Sequence, residues 1–190
     1  GRFAGCIIYR IEVGINNMMY RRKNNKPEIE THKIKEFKKL LVKYGQGTGI
    51  DPFARNCQHA YYTNDINPNT LAKYHMDALE FLEQPPYLFN NQKFDFIIFD
   101  PPFSDRMSND KYGTSNLYSS ESSKASKCQK IGSRMLRQGG YFIKAGYNSN
   151  PPAPNLELRE LCLLHSGGNR NDIIFSVWEK TFDLDEWVVE

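Results

Sequence analysis

The sequence lacks the features that mark several classes of protein. Its four cysteines include no Cys-x-x-Cys pair and are scattered at Cys6, Cys57, Cys128 and Cys162. This spacing indicates neither a zinc site nor a disulfide framework, and it is typical of a reducing compartment. No apolar run approaches membrane-spanning length, no secretory signal is visible, and His75 and His165 have no partners at metal-ligand spacing. We therefore expect a cytoplasmic protein with no metal and no membrane partner.

Charge and composition are also unexceptional. The chain has 190 residues, of which 39% are hydrophobic and 25% charged, so it is neither disordered nor fibrous. Its net charge of +3 permits nucleic-acid binding without arguing for it. The length predicts one domain with a substantial core. Because residues 16–26 are polar and basic, we assign residues 1–30 to an N-terminal arm or extension and residues 31–190 to the domain.

Apolar residues from residue 31 onward alternate between helical and strand-like spacing. The pattern predicts a helix over 32–44, with Thr31 as its N-cap and Gly45 as its end. Further helices are predicted over 69–74, 79–83 and 128–136, the last ended by Gly139-Gly140. Strands are predicted at 49–51, 61–64, 75–78, 94–99 and 141–146. This alternation indicates an α/β fold with a doubly wound, mostly parallel sheet.

The two ends of the chain complete this prediction. The pattern of residues 7–13 predicts a further strand. Two more strands are predicted at 156–164 and 172–182, joined by a Gly-Gly turn within 165–171. The sequence therefore predicts an antiparallel C-terminal hairpin at one side of the sheet. Residues 104–127 are polar and predict a long loop, which in a compact domain is typical of a lid or a binding loop.

The most informative segment is the apolar strand that runs into Asp100-Pro101-Pro102-Phe103. The exocyclic amine of a nucleobase is a poor nucleophile because its lone pair is delocalised into the ring. Two acceptors for its N–H bonds direct that lone pair toward an electrophile. The Asp100 carboxylate and the Pro101 carbonyl are such acceptors, held by two prolines that restrict the backbone, and Phe103 offers a ring for a flipped base. The alternative is a plain strand followed by a Pro-Pro turn.

Three earlier strand ends also carry an acid, namely Asp51, Asp65 and Asp77. In an open parallel sheet, ligands bind outside the carboxyl ends of the strands. If the ligand is S-adenosylmethionine, Asp51 lies where its methionine portion sits, Asp65 faces the ribose hydroxyls, and Asp77 can accept from the adenine amine. Each acid alone is explained better by a cap or a turn. The ordered set, with Asp100 on the fourth strand, favours the cofactor interpretation.

These segments resemble the amino-methyltransferases, which use S-adenosylmethionine to methylate exocyclic amines of DNA bases. They are most similar to a group of small adenine-specific DNA methyltransferases from phages and bacteria. The similar strings occur in the same order across residues 31–182, at 51–54, 63–68, 74–78, 100–103, 146–150 and 165–172. The resemblance implies a Rossmann-like methyltransferase fold, S-adenosylmethionine as cofactor and DNA as partner, in a bacterial or phage-infected cell, as in restriction–modification.

The resemblance also implies site residues. Those for the cofactor are Asp51, Pro52, Phe53, Ala54, Asn56, Asp65, Ile66, Asp77 and Ala78, and those for catalysis are Asp100, Pro101, Pro102 and Phe103. One departure lies after Phe53, where the family motif is glycine-rich and this chain continues Ala54-Arg55-Asn56-Cys57-Gln58. Either the turn closes differently, with Asn56 in left-handed geometry, or cofactor binding is weakened.

A second departure concerns the substrate, since the chain has no room for a separate target-recognition region. Specificity would then come from the 104–127 loop, the basic N-terminal segment, a homodimer or a partner subunit. Tyr112 and Tyr118 are candidates for stacking on bases, and Lys144 and Asn148 for contacts with substrate or phosphate. A structural role explains Tyr112, Tyr118 and Lys144 equally well, and the turn at 148–152 that holds Asn148 is explained better by the local turn preference of Asn and Pro.

The function predicted from these features is methylation of the adenine amino group in DNA, with the base flipped out and its amine oriented by Asp100 and Pro101. Two alternatives stay open. Small methyltransferases that act on guanine in ribosomal RNA have a similar Asp-Pro-Pro-Phe ending. A degenerate, nucleic-acid-binding subunit without catalysis is the other alternative, because a fold does not guarantee a function.

Overall fold

The structure is a computed structural model that describes residues 19–24, 30–102, 123–165 and 172–183. Within these residues seven strands form one sheet, in the spatial order β1-β6-β7-β5-β4-β2-β3. The strands are β1 (Met19–Asn24), β2 (Gly49–Asp51), β3 (Tyr62–Thr63), β4 (Phe94–Phe99), β5 (Leu136–Gly146), β6 (Leu156–His165) and β7 (Ile173–Lys180). Strand β7 is antiparallel to both of its neighbours, and all other neighbouring strands are parallel. The predicted doubly wound, mostly parallel sheet with an antiparallel C-terminal hairpin is confirmed.

Helices cover both faces of the sheet. They are α1 (Lys35–Tyr44), α2 (Ala78–Leu82) and α3 (Ser123–Met135), with short 3-10 helices at Thr31–Lys33 and Pro86–Phe89. Helix α1 buries Phe37, Leu40 and Leu41 on one face. Helices α2 and α3 pack on the other face, where Phe81 and Cys128 are fully buried. No helix in the described part of the chain is long and apolar enough to cross a membrane.

Strand β4 is the centre of this core. Its side chains alternate between the two hydrophobic clusters, with Phe96 and Ile98 toward α1 and Ile97 and Phe99 toward α2 and α3. A strand that is buried on both faces reads as a continuous apolar run, which is why the sequence identifies it so clearly. Strands β2 and β5 flank β4 in parallel, so the carboxyl ends of all three lie at one edge.

The first predicted helix begins later than its pattern suggests. Thr31 opens a 3-10 turn, and α1 starts at Lys35 because Ile34 is extended, with φ −66° and ψ 126°. No side chain caps this helix, so the predicted Thr31 N-cap is wrong. The predicted end at Gly45 is confirmed, and its N–H donates to the Leu41 carbonyl at 2.8 Å.

Residues 69–78 hold neither the predicted helix at 69–74 nor the predicted strand at 75–78. Residues 69–77 form turns and bends with one isolated bridge between Tyr74 and Asn64. The reason is a network of other hydrogen bonds, in which Asn64 binds both backbone groups of Met76 and Asn67 accepts from the Asn69 N–H and the Thr70 hydroxyl. The following helix is Ala78–Leu82, close to its predicted position.

The Gly139-Gly140 pair does not end a helix. Helix α3 stops at Met135, and β5 starts at once with Leu136, so both glycines lie inside the strand. The pairing between β4 and β5 shifts register there, between Phe94 and Phe96. Gly139 has φ +74°, and a Cβ at Gly140 would lie 2.9–3.1 Å from three backbone oxygens. The glycines therefore permit a bulge against β4.

At the N-terminus, β1 joins the sheet by pairing in parallel with β6. Six residues of the predicted arm are thus part of the sheet. The predicted strand at 7–13 and the Gly-Gly turn at 166–171 lie outside the described residues, as do residues 104–122 of the predicted loop. Residues 123–127 of that loop belong to α3.

Candidate functional site

Asp51 is the last residue of β2 and points into the protein at the carboxyl edge of the sheet. Its side chain is 1% exposed, and its Oδ1 accepts a hydrogen bond from the Phe53 N–H at 3.0 Å. Burial raises the pKa of Asp51 well above its usual range, and the negative charges of Asp100 and Asp65 raise it further. The three carboxyl groups are therefore close enough for their charges to interact.

Asp65 follows β3 and organises the turn after Asp51. Its Oδ2 accepts from the Arg55 N–H at 3.1 Å, and its Oδ1 accepts from the Asn67 N–H at 2.9 Å. Burial raises the pKa of Asp65, although both backbone donors oppose the rise. The carboxylate thus ties the loop after β2 to the loop after β3.

The glycine-poor turn closes through a left-handed residue, but that residue is Arg55, with φ +47°. The prediction that Asn56 adopts this geometry is wrong. The Asn56 amide instead donates to Glu30 Oε1 at 2.7 Å, and its Oδ1 accepts from the Leu71 N–H at 3.2 Å. Asn56 therefore anchors neighbouring segments, and its predicted contact with a cofactor stays a prediction.

Asn64, which sequence reasoning did not single out, holds three loops together. It is fully buried, and its Nδ2 donates to the Pro52 carbonyl at 3.2 Å and to the Met76 carbonyl at 3.0 Å. Its Oδ1 accepts from the Met76 N–H at 3.1 Å. Its backbone adds bonds to the Asp51 carbonyl and the Ala54 N–H, each of 2.8 Å. Only its place between Thr63 and Asp65 in a strand-end string could have drawn attention to it.

Asp77 is the N-cap of α2. Its Oδ1 accepts from the Leu79 N–H at 3.0 Å and from the Glu80 N–H at 3.4 Å, and its Oδ2 lies 3.5 Å from Lys124 Nζ. The capping explanation is therefore correct for this residue. Its predicted contact with an adenine amine stays a prediction.

Asp100, Pro101 and Pro102 follow β4 directly. Asp100 is half-buried and Pro101 is buried. Because β4 lies beside β2 in parallel, Asp100 leaves the same edge of the sheet as Asp51, in agreement with the influence of its charge on the Asp51 pKa. Beneath this edge Phe53 packs edge-on against Phe99, with ring centroids 5.3 Å apart.

Lys144 lies on β5 directly beside Phe99 of β4. It is 1% exposed, and its Nζ donates to Asn148 Oδ1 at 2.8 Å and to the Asn150 carbonyl at 3.1 Å. Burial lowers the pKa of Lys144 to about 8. The predicted substrate residues Lys144 and Asn148 are thus in contact with each other, one strand away from Asp100.

The remaining predicted residues separate into two groups. Pro52 and Ala54 belong to the loop after β2 and Ala78 is the first residue of α2, and all three are buried, whereas Ile66 is 46% exposed. Phe103, Tyr112 and Tyr118 lie outside the described residues. No group of three or more His, Cys, Asp or Glu side chains in the described ranges could hold a metal ion.

Solved structures share this fold. The N-methyltransferase NodS from Bradyrhizobium japonicum is 12% identical over 77% of this chain and 93% of its own, with a TM-score of 0.51. Its complex with S-adenosyl-L-homocysteine is 11% identical over 80% and 89%, with a TM-score of 0.50. The protein YhhF from Escherichia coli is 10% identical over 82% of this chain and 92% of its own, with a TM-score of 0.51.

At such low identities the likeness establishes the fold alone. The chain has the Rossmann-like fold of methyltransferases, so the predicted fold class is confirmed by the neighbours as well as by the strand order. No protein-family model matches the sequence, and no curated protein matches it either.

Proposed function

We propose that the protein transfers the methyl group of S-adenosylmethionine to the exocyclic amino group of adenine in DNA. The observation that carries the proposal is the convergence of Asp51, Asp65 and Asp100 at the carboxyl edge of three adjacent strands, with two prolines after Asp100. A group of acids at this edge suits a ligand with positive charge and hydroxyl donors.

The residues present fit such a cofactor. S-adenosylmethionine carries an ammonium, a sulfonium and two ribose hydroxyls, and it supplies an electrophilic methyl group when bound. Asp51 would accept from the ammonium, because its Oδ2 takes no hydrogen bond from a described residue. Asp65 retains acceptor capacity on both oxygens beside its two backbone bonds. The structure of NodS with S-adenosyl-L-homocysteine supports this assignment by fold.

Asp100 and Pro101 would act on the acceptor amine. Two acceptors fixed at the end of a rigid strand take the two N–H bonds and direct the nitrogen lone pair toward the methyl group. Strand β4 is rigid because both of its faces are buried. The amine becomes acidic once it is methylated, so the mechanism needs positioning and electrostatics more than a strong base.

The test combines cofactor binding with methyl transfer. We expect calorimetric titration to show S-adenosylmethionine binding, and labelled methyl groups to enter adenine-containing DNA. Asp100→Ala should lower turnover about a hundredfold or more, with cofactor affinity nearly unchanged. Asp95→Ala is the matched control. Asp95 lies near the amino-terminal end of the same strand, where its carboxylate binds Arg137 and accepts from the Thr48 N–H.

Each outcome decides between the alternatives. Near-normal turnover by the Asp100 variant would contradict the mechanism. Transfer to RNA but not to DNA would favour the ribosomal RNA alternative. A folded protein that binds DNA without binding cofactor would favour the non-catalytic subunit.

A further inference from the structure

A cavity of about 690 Å³ lies between α3 and the loop that follows β5. Its polar lining consists of Ser126, Gln129, Lys130, Lys144, Asn148 and Asn150, and residues 151–154 complete the wall. No carboxylate is among these lining residues. A cavity of this size with two cations is large enough for part of a nucleotide and suits an anion.

Lys144 is an unusual cation for such a buried position. Lys180, which is also buried, forms an ion pair with Asp183. Lys144 has only the neutral oxygens of Asn148 and Asn150 as hydrogen-bond partners among the residues that the structure describes. A buried charge without a counter-ion is costly, and an anion that approaches the cavity would offset that cost.

Helix α3 supplies the opposite wall. Ser126, Gln129 and Lys130 lie at positions i, i+3 and i+4 and therefore on one face of the helix. The Gln129 side chain is 7% exposed and makes no hydrogen bond to a described residue. Lys130 is exposed and pairs with no carboxylate in the described ranges. The wall thus offers an amide donor and a positive charge that the fold itself does not use.

The position of the cavity connects it with the proposed chemistry. Lys144 lies opposite Phe99 in the parallel pairing of β4 and β5, so the cavity adjoins the strand end that carries Asp100. We propose that Lys130, Gln129 and Lys144 bind a backbone phosphate of the acceptor strand, next to the nucleotide whose base reaches Asp100. This inference rests on the proposed function and assigns the contact that holds the strand in register.

The experiment measures binding of a fluorescent single-stranded DNA oligonucleotide over a series of salt concentrations. We expect Lys130→Gln to weaken binding about tenfold and to reduce the slope of log affinity against log salt by about 0.7, the value for one lost phosphate contact on a single strand. Lys144→Met should also weaken DNA binding. Because this substitution alters a buried residue, the thermal unfolding of the variant is recorded alongside.

Lys127→Gln is the matched control. Lys127 lies on the same helix, pairs with Glu83 at 2.6 Å and does not line the cavity. It removes the same charge, so an equal loss in both variants would show a nonspecific effect of net charge and overturn the proposal. An unchanged slope in Lys130→Gln would overturn it as well.

A second arm locates the phosphate and distinguishes the two proposals. Single methylphosphonate linkages, placed in turn along the oligonucleotide, should weaken binding by the wild type at one position and have a clearly smaller effect there on Lys130→Gln, which keeps only the Lys144 and Gln129 contacts. If the wild type methylates DNA but no linkage behaves in this way, the cavity proposal fails while the proposed function stands. If the wild type binds DNA through this cavity but transfers no methyl group, the proposed function fails instead.

Discussion

Substitution of Asn64 by alanine tests whether one buried amide holds the candidate cofactor site together. The side chain makes three hydrogen bonds, to the Pro52 carbonyl and to both backbone groups of Met76. These bonds join the loops that carry Asp51, Asp65 and Asp77. Asn64→Ala would leave the three backbone groups without their partner in a region closed to water, since Asn64 is fully buried.

The expected cost follows from these bonds. A buried hydrogen bond contributes about 1 kcal/mol, and a buried group left unpaired costs at least as much, so the three bonds together predict a loss of about 3 kcal/mol. That loss is a large fraction of the roughly 5–15 kcal/mol by which a domain is stable. Because the loops also lose their mutual positions, S-adenosylmethionine should bind about tenfold more weakly to the folded variant.

Urea unfolding gives the free energy of unfolding, and calorimetry gives the cofactor affinity at a temperature where the variant is folded. The control is Asn67→Ala in the same segment, which removes one exposed bond to the Asn69 N–H and should cost about 0.5 kcal/mol. If Asn64→Ala lost no more stability than Asn67→Ala, the assignment of Asn64 as the residue that joins the loops would be wrong.

Two further predictions concern Asp51 and the glycines. The pKa of Asp51 is raised, so at a pH between its ordinary pKa and the raised one the folded protein keeps a proton that the unfolded chain releases. The free energy of unfolding therefore falls as the pH rises through that window. Asp51→Asn should remove this loss of stability. In the same pH window, an ammonium ligand stabilises the ionised form of Asp51 over the protonated form, so S-adenosylmethionine binding should release a proton. Calorimetry in buffers of different ionisation enthalpy should detect this release for the wild type and none for Asp51→Asn. Gly47→Ala should cost roughly 2 kcal/mol or more in urea unfolding, because φ is +91° and a Cβ would overlap the Asp95 carboxylate. Gly139→Ala, with φ +74° and only Arg137 Nη1 at 3.4 Å, should cost about half as much, and equal losses would contradict the role of the overlap.

Local pattern determined the parts of the fold in which neighbouring residues decide the conformation. The apolar run 94–99 ends at two prolines, which cannot continue a ladder, so both the strand and its Asp100 end were predictable. Gly45 ended α1 for an equally local reason. The acids at 51, 65 and 100 were predictable as a set because parallel strands bring their carboxyl ends to one edge.

Tertiary structure decided the features that depend on distant partners. Residues 69–78 lost their predicted helix and strand because Asn64 binds the backbone of Met76, twelve positions away. Gly139-Gly140 became part of a bulge because β4 lies against them, although the same pair in isolation reads as a helix end. Similarly, the sequence shows Lys144 only as a lysine near a strand end. Its burial opposite Gln129 arises where α3 packs across β5, and such long-range packing has no signal in the spacing of either segment alone.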